Sequence, residues 1–316
     1  MPPGINKNPK IVILAGSDYR HQFFIHHLNT HFSISEVYIE KSDYPSPTPR
    51  SKEESIAWDW FFRRRENYEK KLVARSSRLP SKNKPGTTYA DEGELDSPDI
   101  IAQIKKNNPD FIAVFGTSVL KEPFLKSFPN RLFNLHIGDP EFYRGSSCNF
   151  WPIHQEKLQH MSATIHRIDP GIDTGTILVR QAITLSRRDN EQTLLLKPVK
   201  LGTKLMIETI RRWQTGELRS TPNFRQGKLF KKSDFTPKAI LEVKQMLESG
   251  RLKIHLQTQS SLVGIKKEPA DITIQERPLH KSKKLVSELL RHTPCMLFVR
   301  KIYSSCTLYV VCKENI

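Results

Sequence analysis

Asn134, His136 and Asp173 are the residues of this chain best suited to act together on a substrate. Asn134 and His136 stand two apart at the end of the apolar run Phe133-Asn-Leu-His136, so a strand would present both on one face. Asp173 follows a second apolar run, Thr164-Ile-His-Arg-Ile168, inside Asp169-Pro-Gly-Ile-Asp-Thr-Gly175. An amide can donate to a developing negative charge, an imidazole can donate or manage a proton, and a carboxylate can orient that imidazole or take the proton itself. A strand that carries such groups to its rim offers a reaction site rather than a packing surface. Taken alone, Asn-x-His would read as satisfied polar groups at a sheet end, and Asp-Pro-Gly as a turn.

The elements that must carry these residues alternate. Residues 10–15 read as a strand ending at Gly16, followed by a helix with Phe23, Phe24, His27 and Leu28 on one side. Residues 34–39 form a second strand, 41–51 an exposed linker rich in Pro and Ser, 52–73 an amphipathic helix and 76–93 a polar loop. Ser97 suits an N-cap and Pro98 the first helical position of a helix running to about Lys106. Strands follow at 111–115, 131–136, 162–168 and 176–183, short helices at 121–128 and 147–157, and a long helix at 191–214 kinked near Pro198. This alternation predicts an α/β fold with a Rossmann-like, doubly wound, mostly parallel sheet and a site at the strands' carboxyl ends. The pattern changes near residue 215. A catalytic domain over 1–215, with its linker and helix inserted at 41–93, is expected to precede a small α+β or β-rich domain over 216–316. That second domain would contain a helix at 236–249 and strands at 254–256, 296–299 and 307–311.

With 316 residues, 37% of them hydrophobic, the chain can build one large core and a smaller second unit, which excludes a disordered protein. No apolar run reaches the ~18 residues of a membrane span, and the N-terminus lacks the apolar segment of a secretory signal, so a cytoplasmic location is expected. Cys148, Cys295, Cys306 and Cys312 form no Cys-x-x-Cys pair and no zinc-like partnership with histidines; free thiols and no metal are expected. Nothing near Cys148 would make it a nucleophile. A net charge of +17 suits a polyanionic partner such as tRNA, a nucleotide-linked substrate or an anionic membrane face, and equally a generic basic surface. The turn Gly16-Ser-Asp-Tyr-Arg-His21 could hold a phosphate on its backbone N–H groups, with Arg20 and His21 favouring an anionic acceptor. A plain turn and N-cap explains Ser17 and Asp18 equally well. Trp58-Asp-Trp-Phe-Phe-Arg-Arg-Arg65 reads as a helix packing its aromatics on the core with its arginines in water.

In three blocks the chain resembles the folate-dependent formyltransferases, which include glycinamide ribonucleotide, methionyl-tRNA and sugar-nucleotide N-formyltransferases. Asn134-Leu-His136 matches that family's N-x-H, Tyr143-Arg-Gly145 ends its S-L-L-P-x-Y-R-G, and Asp169-Pro-Gly-Ile-Asp-Thr-Gly175 matches its D-x-G-x-D-T-G. Order and spacing agree across all three, within a resemblance over roughly 10–215. One block departs from the pattern: Ile137-Gly-Asp-Pro-Glu-Phe142 keeps the loop length but loses both leucines and moves the proline. Loops of this kind tune the acceptor.

The resemblance implies transfer of a formyl group from N10-formyltetrahydrofolate, a co-substrate, to a primary amine. Asn134 would then donate to the oxyanion of the tetrahedral intermediate, His136 would donate or manage the proton, and Asp173 would orient that imidazole and accept the proton. The pterin would lie between Thr117-Ser-Val-Leu120 and Asp169-Pro170-Gly171-Ile172, the latter reading its hydrogen-bonding edge. Arg20, His21, Tyr143, Arg144, Gly145 and His166 are expected on the acceptor side, with a core histidine an equal reading of His166. The acceptor is read as a small molecule, the amine of a nucleotide-linked amino sugar; methionyl-tRNA is the alternative. From another class, the chain could be a non-catalytic nucleotide- or RNA-binding protein on the same scaffold. A homodimer stays open.

Overall fold

In the computed structural model, residues 8–41, 47–223, 225–265, 295–302 and 305–312 are described. Residues 42–46 of the expected linker and the side chains of Cys295, Cys306 and Cys312 lie outside them. The chain divides into two units, Met1–Ile265 and Lys266–Ile316.

The first unit opens with β1 (Ile11–Gly16), α1 (Tyr19–His31), β2 (Ile34–Glu40), α2 (Lys52–Ser76) and β3 (Gly86–Ala90). It continues through α3 (Pro98–Asn107), β4 (Phe111–Phe115), α4 (Glu122–Ser127), β5 (Leu132–His136), β6 (Tyr143–Gly145) and α5 (Trp151–His154). It closes with β7 (Ser162–Arg167), β8 (Ile177–Ala182), α6 (Glu191–Gln214), β9 (Lys228–Phe230), α7 (Pro237–Glu248) and α8 (Arg251–Ile265). Seven strands form one sheet in the order β3-β2-β1-β4-β5-β7-β8. The first five run parallel, while β7 is antiparallel to β5 and β8 to β7. This is the expected Rossmann-like, mostly parallel sheet.

The central strands are buried on both faces, which is why they read as unbroken apolar runs. Ile11, Ile13 and Ala15 join Phe24 and Leu28 of α1 and Met206 and Ile210 of α6 in one core. Val12 and Leu14 join Ile100 and Ile104 of α3 and Phe124 of α4 in another, on the opposite face. A third core lies off the sheet. Phe61 of α2, Phe150, Trp151 of α5, Phe230 of β9, Phe235, Ile240 and Val243 of α7 and Leu252 and Leu256 of α8 build it. The expected boundary near 215 therefore gives way: residues 228–256 pack into the first unit, because the change in their pattern marks a different core and not a separate body.

Three local expectations are corrected. The polar loop 76–93 contains β3, an edge strand in which only Ala90 is buried, so no alternation announces it. Residues 254–256 are helical, within α8; three apolar-rich residues cannot separate the two periods. Of 147–157 only Trp151–His154 is α-helix, since Ser147 and Glu156 adopt left-handed φ values of 57° and 56°. Within the second unit, β10 (Cys295–Ile302) and β11 (Ser305–Cys312) form an antiparallel hairpin where strands were expected.

Candidate active site

β5 ends in Asn134 and His136, and β7 runs back beside it so that Asn134 pairs with His166 and His136 with Thr164. The connection from β7 to β8 delivers Asp173 to both imidazoles. Its Oδ2 lies 3.4 Å from His136 Nδ1, and its Oδ1 3.3 Å from His166 Nε2. The Gly145 N–H donates to Oδ2 at 2.8 Å. Asp173 has a φ of 52°, in the left-handed region that aspartate and asparagine enter more readily than other non-glycine residues, and hydrogen bonds on both sides hold it there. Here Arg144 donates to the Ile172 carbonyl at 3.2 Å and Asn223 donates to the Asp173 carbonyl at 3.3 Å.

The proton inventory follows from the carbonyls. His136 Nε2 is 2.9 Å from the Tyr143 carbonyl, and His166 Nδ1 is 2.7 Å from the Arg167 carbonyl; a carbonyl only accepts, so both nitrogens carry hydrogen. Burial lowers the His136 pKa in spite of Asp173, leaving that ring neutral with a bare Nδ1 toward the carboxylate. In His166 burial also acts downward, but the hydrogen bond and charge of Asp173 outweigh it and raise the pKa. Burial works to raise the Asp173 carboxyl, yet the hydrogen bond and charge of His166 and the Gly145 N–H hold it well below the usual carboxylate range. These directions place a carboxylate between one imidazole, His166, that holds a second proton more readily than usual and another, His136, that gives it up more readily. When His166 is protonated its Nε2 is a donor, which requires the Asn134 amide, whose Nδ2 lies 3.0 Å away, to be turned over so that its oxygen accepts and its NH2 faces the cavity.

That cavity, about 430 Å³, is lined by Asn134, His136, His166 and Asp173 together with Thr117, Ser118, Val119, Leu120, Asp169, Gly171 and Ile172. Pro170, expected with them, is exposed outside it. The loop after β4 is held from beneath: Glu40, fully buried, accepts from the Ser118 hydroxyl and the Gly93 N–H, both at 2.8 Å. Gly116 has a φ of 74°, and a Cβ there would stand 2.2 Å from the His21 ring, so only glycine fits.

The acceptor-side expectations divide. Gly145 lines the cavity, but Tyr143 is buried in the third core and donates to Gln155 at 3.0 Å. Arg144 donates to the carbonyls of Gly227, at 2.9 Å, and Ile172, and is not among the residues that line the cavity. Both are positioning residues. Arg20 lines the cavity, although its guanidinium is paired with Glu69 and Asp18. His21 is buried, accepts the Asp18 N–H on Nδ1 at 3.1 Å, and is lowered by burial and by Arg20 to about 3. Phe61, Arg65 and Glu69 were missed: the four-residue spacing places them on one face of α2, and all three line the cavity. The arginines expected in water are anchored instead, Arg64 to Glu191 at 2.6 Å and Arg65 to Glu69 at 3.1 Å. Cys148 is buried, and burial raises its thiol pKa further from reactivity.

His21 has a consequence for stability. Its folded pKa lies below the ordinary 6.5, so from pH 6.5 down to about 3 the unfolded chain binds a proton that the folded chain refuses. Stability drops by roughly 1.4 kcal/mol per pH unit across that window. Denaturant titrations of His21→Gln, which keeps an acceptor for the Asp18 N–H, should show a shallower pH slope by about one proton; an unchanged slope would contradict the buried neutral ring.

Residues 40–210 match the formyl transferase family model. The chain belongs to the formyl transferase family. The matched span contains Asn134, His136, His166 and Asp173. A methionyl-tRNA formyltransferase of Thermodesulfovibrio yellowstonii is 34% identical over 124 residues, 39% of this chain and 40% of that protein. One from Geobacter metallireducens is 31% identical over 124 residues, 39% of each chain. The match thus spans about 40% of the length of these formyl transferase relatives. Among solved structures, a sugar N-formyltransferase from Shewanella is similar at a TM-score of 0.48 and 13% identity, covering 74% of this chain and 86% of that one. A phosphoribosylglycinamide formyltransferase from Streptococcus pneumoniae is similar at a TM-score of 0.45 and 15% identity, covering 64% and 97%. No helix among the described residues is long and apolar enough to cross a membrane.

Proposed function

We propose that this protein transfers the formyl group of N10-formyltetrahydrofolate to a primary amine, with a nucleotide-linked amino sugar as the acceptor. The observation that carries the formyl transfer is the convergence of His136 and His166 on the single carboxylate of Asp173, with Asn134 against His166, at the wall of one cavity. Thr117-Ser-Val-Leu120 and the 169–172 loop would hold the pterin, and the folate supplies the one-carbon unit.

The amine nitrogen attacks the formyl carbon, forming the new C–N bond as the carbonyl becomes an oxyanion. The Asn134 NH2 donates to that oxygen where its charge develops. The proton shed by the attacking nitrogen goes to the pair His136 Nδ1 and Asp173 Oδ2, two acceptors 3.4 Å apart that one added proton would join. Collapse of the intermediate breaks the bond to N10, which leaves with a proton returned from that pair. Asn134→Ala should lower turnover by ~10²- to 10³-fold with folate binding nearly unchanged.

A second acceptor has an observation of its own, since the relatives above are named methionyl-tRNA formyltransferases. A turnover screen with formyl-tetrahydrofolate against nucleotide-linked amino sugars, charged tRNA and free amines, following tetrahydrofolate release, separates them. Release with an amino sugar is expected. Formylation of charged tRNA with a steep salt dependence would replace the acceptor, and binding of nucleotide or RNA without any turnover would replace the enzyme reading.

A further inference from the structure

Proton transfer and oxyanion stabilisation leave unused a charged cluster in which Arg20, Arg65 and Glu69 line the same cavity and Asp18, half-exposed, stands at its edge against both arginines. Arg20 from the first turn of α1 meets Arg65 and Glu69 of α2, one turn apart, with Asp18 beside them. Glu69 accepts from Arg20 Nη1 and Arg65 Nε, each at 3.1 Å, and from the Arg20 backbone N–H at 3.3 Å. Asp18 pairs with Arg20, and its Oδ2 lies 3.5 Å from Arg65 Nη2. The Glu69, Arg20 and Arg65 side chains are 7%, 11% and 17% exposed, and that of Asp18 is 39% exposed. Two guanidinium and two carboxylate groups make the cluster neutral.

A phosphate placed here would face both carboxylates. It would also find the α1 amides engaged, that of Arg20 by Glu69 and those of His21 and Gln22 by the Asp18 carbonyl. The anion site that a strand-to-helix turn ordinarily offers is thus filled by the protein's own acceptors. A neutral group rich in hydroxyls meets a different surface: the Asp18 carboxylate can accept from a hydroxyl, and the guanidinium groups can donate to its oxygens.

We propose that Asp18, Arg20, Arg65 and Glu69 form an acceptor-specificity element that admits the neutral, polyhydroxylated body of an amino sugar and rejects a phosphomonoester at that end of the cavity. The assignment rests on the formyl-transfer reading of the cavity and adds to it which face of the acceptor enters.

The test is a matched pair of probes, D-glucosamine and D-glucosamine 6-phosphate, titrated calorimetrically into the tetrahydrofolate-loaded protein. Glucosamine should bind at least about tenfold more tightly than its phosphate. Asp18→Asn, which keeps the helix cap but removes one repelling charge, should bring that ratio close to one. Should that variant fail to fold, the unmodified protein decides, because screening of the two carboxylates should narrow the gap as salt rises from about 0.05 to about 0.5 M. A phosphate bound as tightly as the parent sugar, a ratio indifferent to both Asp18→Asn and salt, or no binding of glucosamine would each overturn the proposal. These are binding ratios without turnover, so their failure leaves formyl transfer standing, and absence of formyl transfer in the screen leaves the ratios readable.

Discussion

Asp173→Asn should lower turnover by about three orders of magnitude while leaving the chain folded. Asparagine tolerates the left-handed backbone that residue 173 adopts and can still accept the Gly145 N–H, so the substitution removes charge with little change of shape. The loss would act twice. The neutral His136 Nδ1 would face no anion with which to share the proton from the attacking amine, and His166 would lose the carboxylate that raises its pKa. Histidine signals followed by NMR should therefore report a fall in the His166 pKa alongside the kinetic loss. Stopped-flow turnover within tenfold of the unmodified protein would remove Asp173 from the chemistry.

Expression of residues 1–216 alone should give an insoluble or molten product. The sequence pattern suggests the opposite, a catalytic core that folds without residues 217–316. The third core decides the matter, because Phe230, Phe235, Ile240, Val243, Met246, Leu252 and Leu256 are all buried in it against Phe61, Phe150 and Trp151. At about 1.5–3 kcal/mol for each such side chain, their removal forfeits roughly 10–20 kcal/mol, against a net stability of only ~5–15 kcal/mol. The cut would also release the active site, since Asn223 and the Gly227 carbonyl bond to the Asp173 carbonyl and to Arg144. A chain ending near residue 265 should keep both. Sharp near-ultraviolet dichroism and cooperative melting of the 1–216 product would contradict this.

Much of the sheet was legible because its strands are buried on both faces. Phe111–Phe115 is apolar without interruption, as are Leu132 and Phe133, and of the polar residues that break the pattern His136 and His166 meet Asp173 while Asn134 meets His166. Less could be read where burial is one-sided or brief. β3 buries a single residue, and β6 and β9 are three residues each, too short for any period to show. The α2 wall escaped for another reason: charged residues at Arg65 and Glu69 look like a solvated face until Arg20 and Asp18, some fifty residues earlier, are brought against them. Charge pairing over that distance leaves no periodic trace. Tyr143 and Arg144 show the converse error, in which motif residues taken for substrate contacts instead brace His136 and the loop before Asp173.

The antiparallel return of β7 also bears on how such a site can diversify. Asn134 and His166 are cross-strand partners, so their approach is set by sheet register, and a slip of one residue would turn either to the opposite face. The stretch threaded between them, residues 137–161, does not set that register, although Tyr143, Arg144 and Gly145 within it hold His136, the loop before Asp173 and the Asp173 carboxylate. Variation that leaves the reaction centre in place is then confined to the parts of that excursion outside Tyr143–Gly145 and outside the side chains buried in the third core, and a library meant to change the acceptor alone would have to spare both.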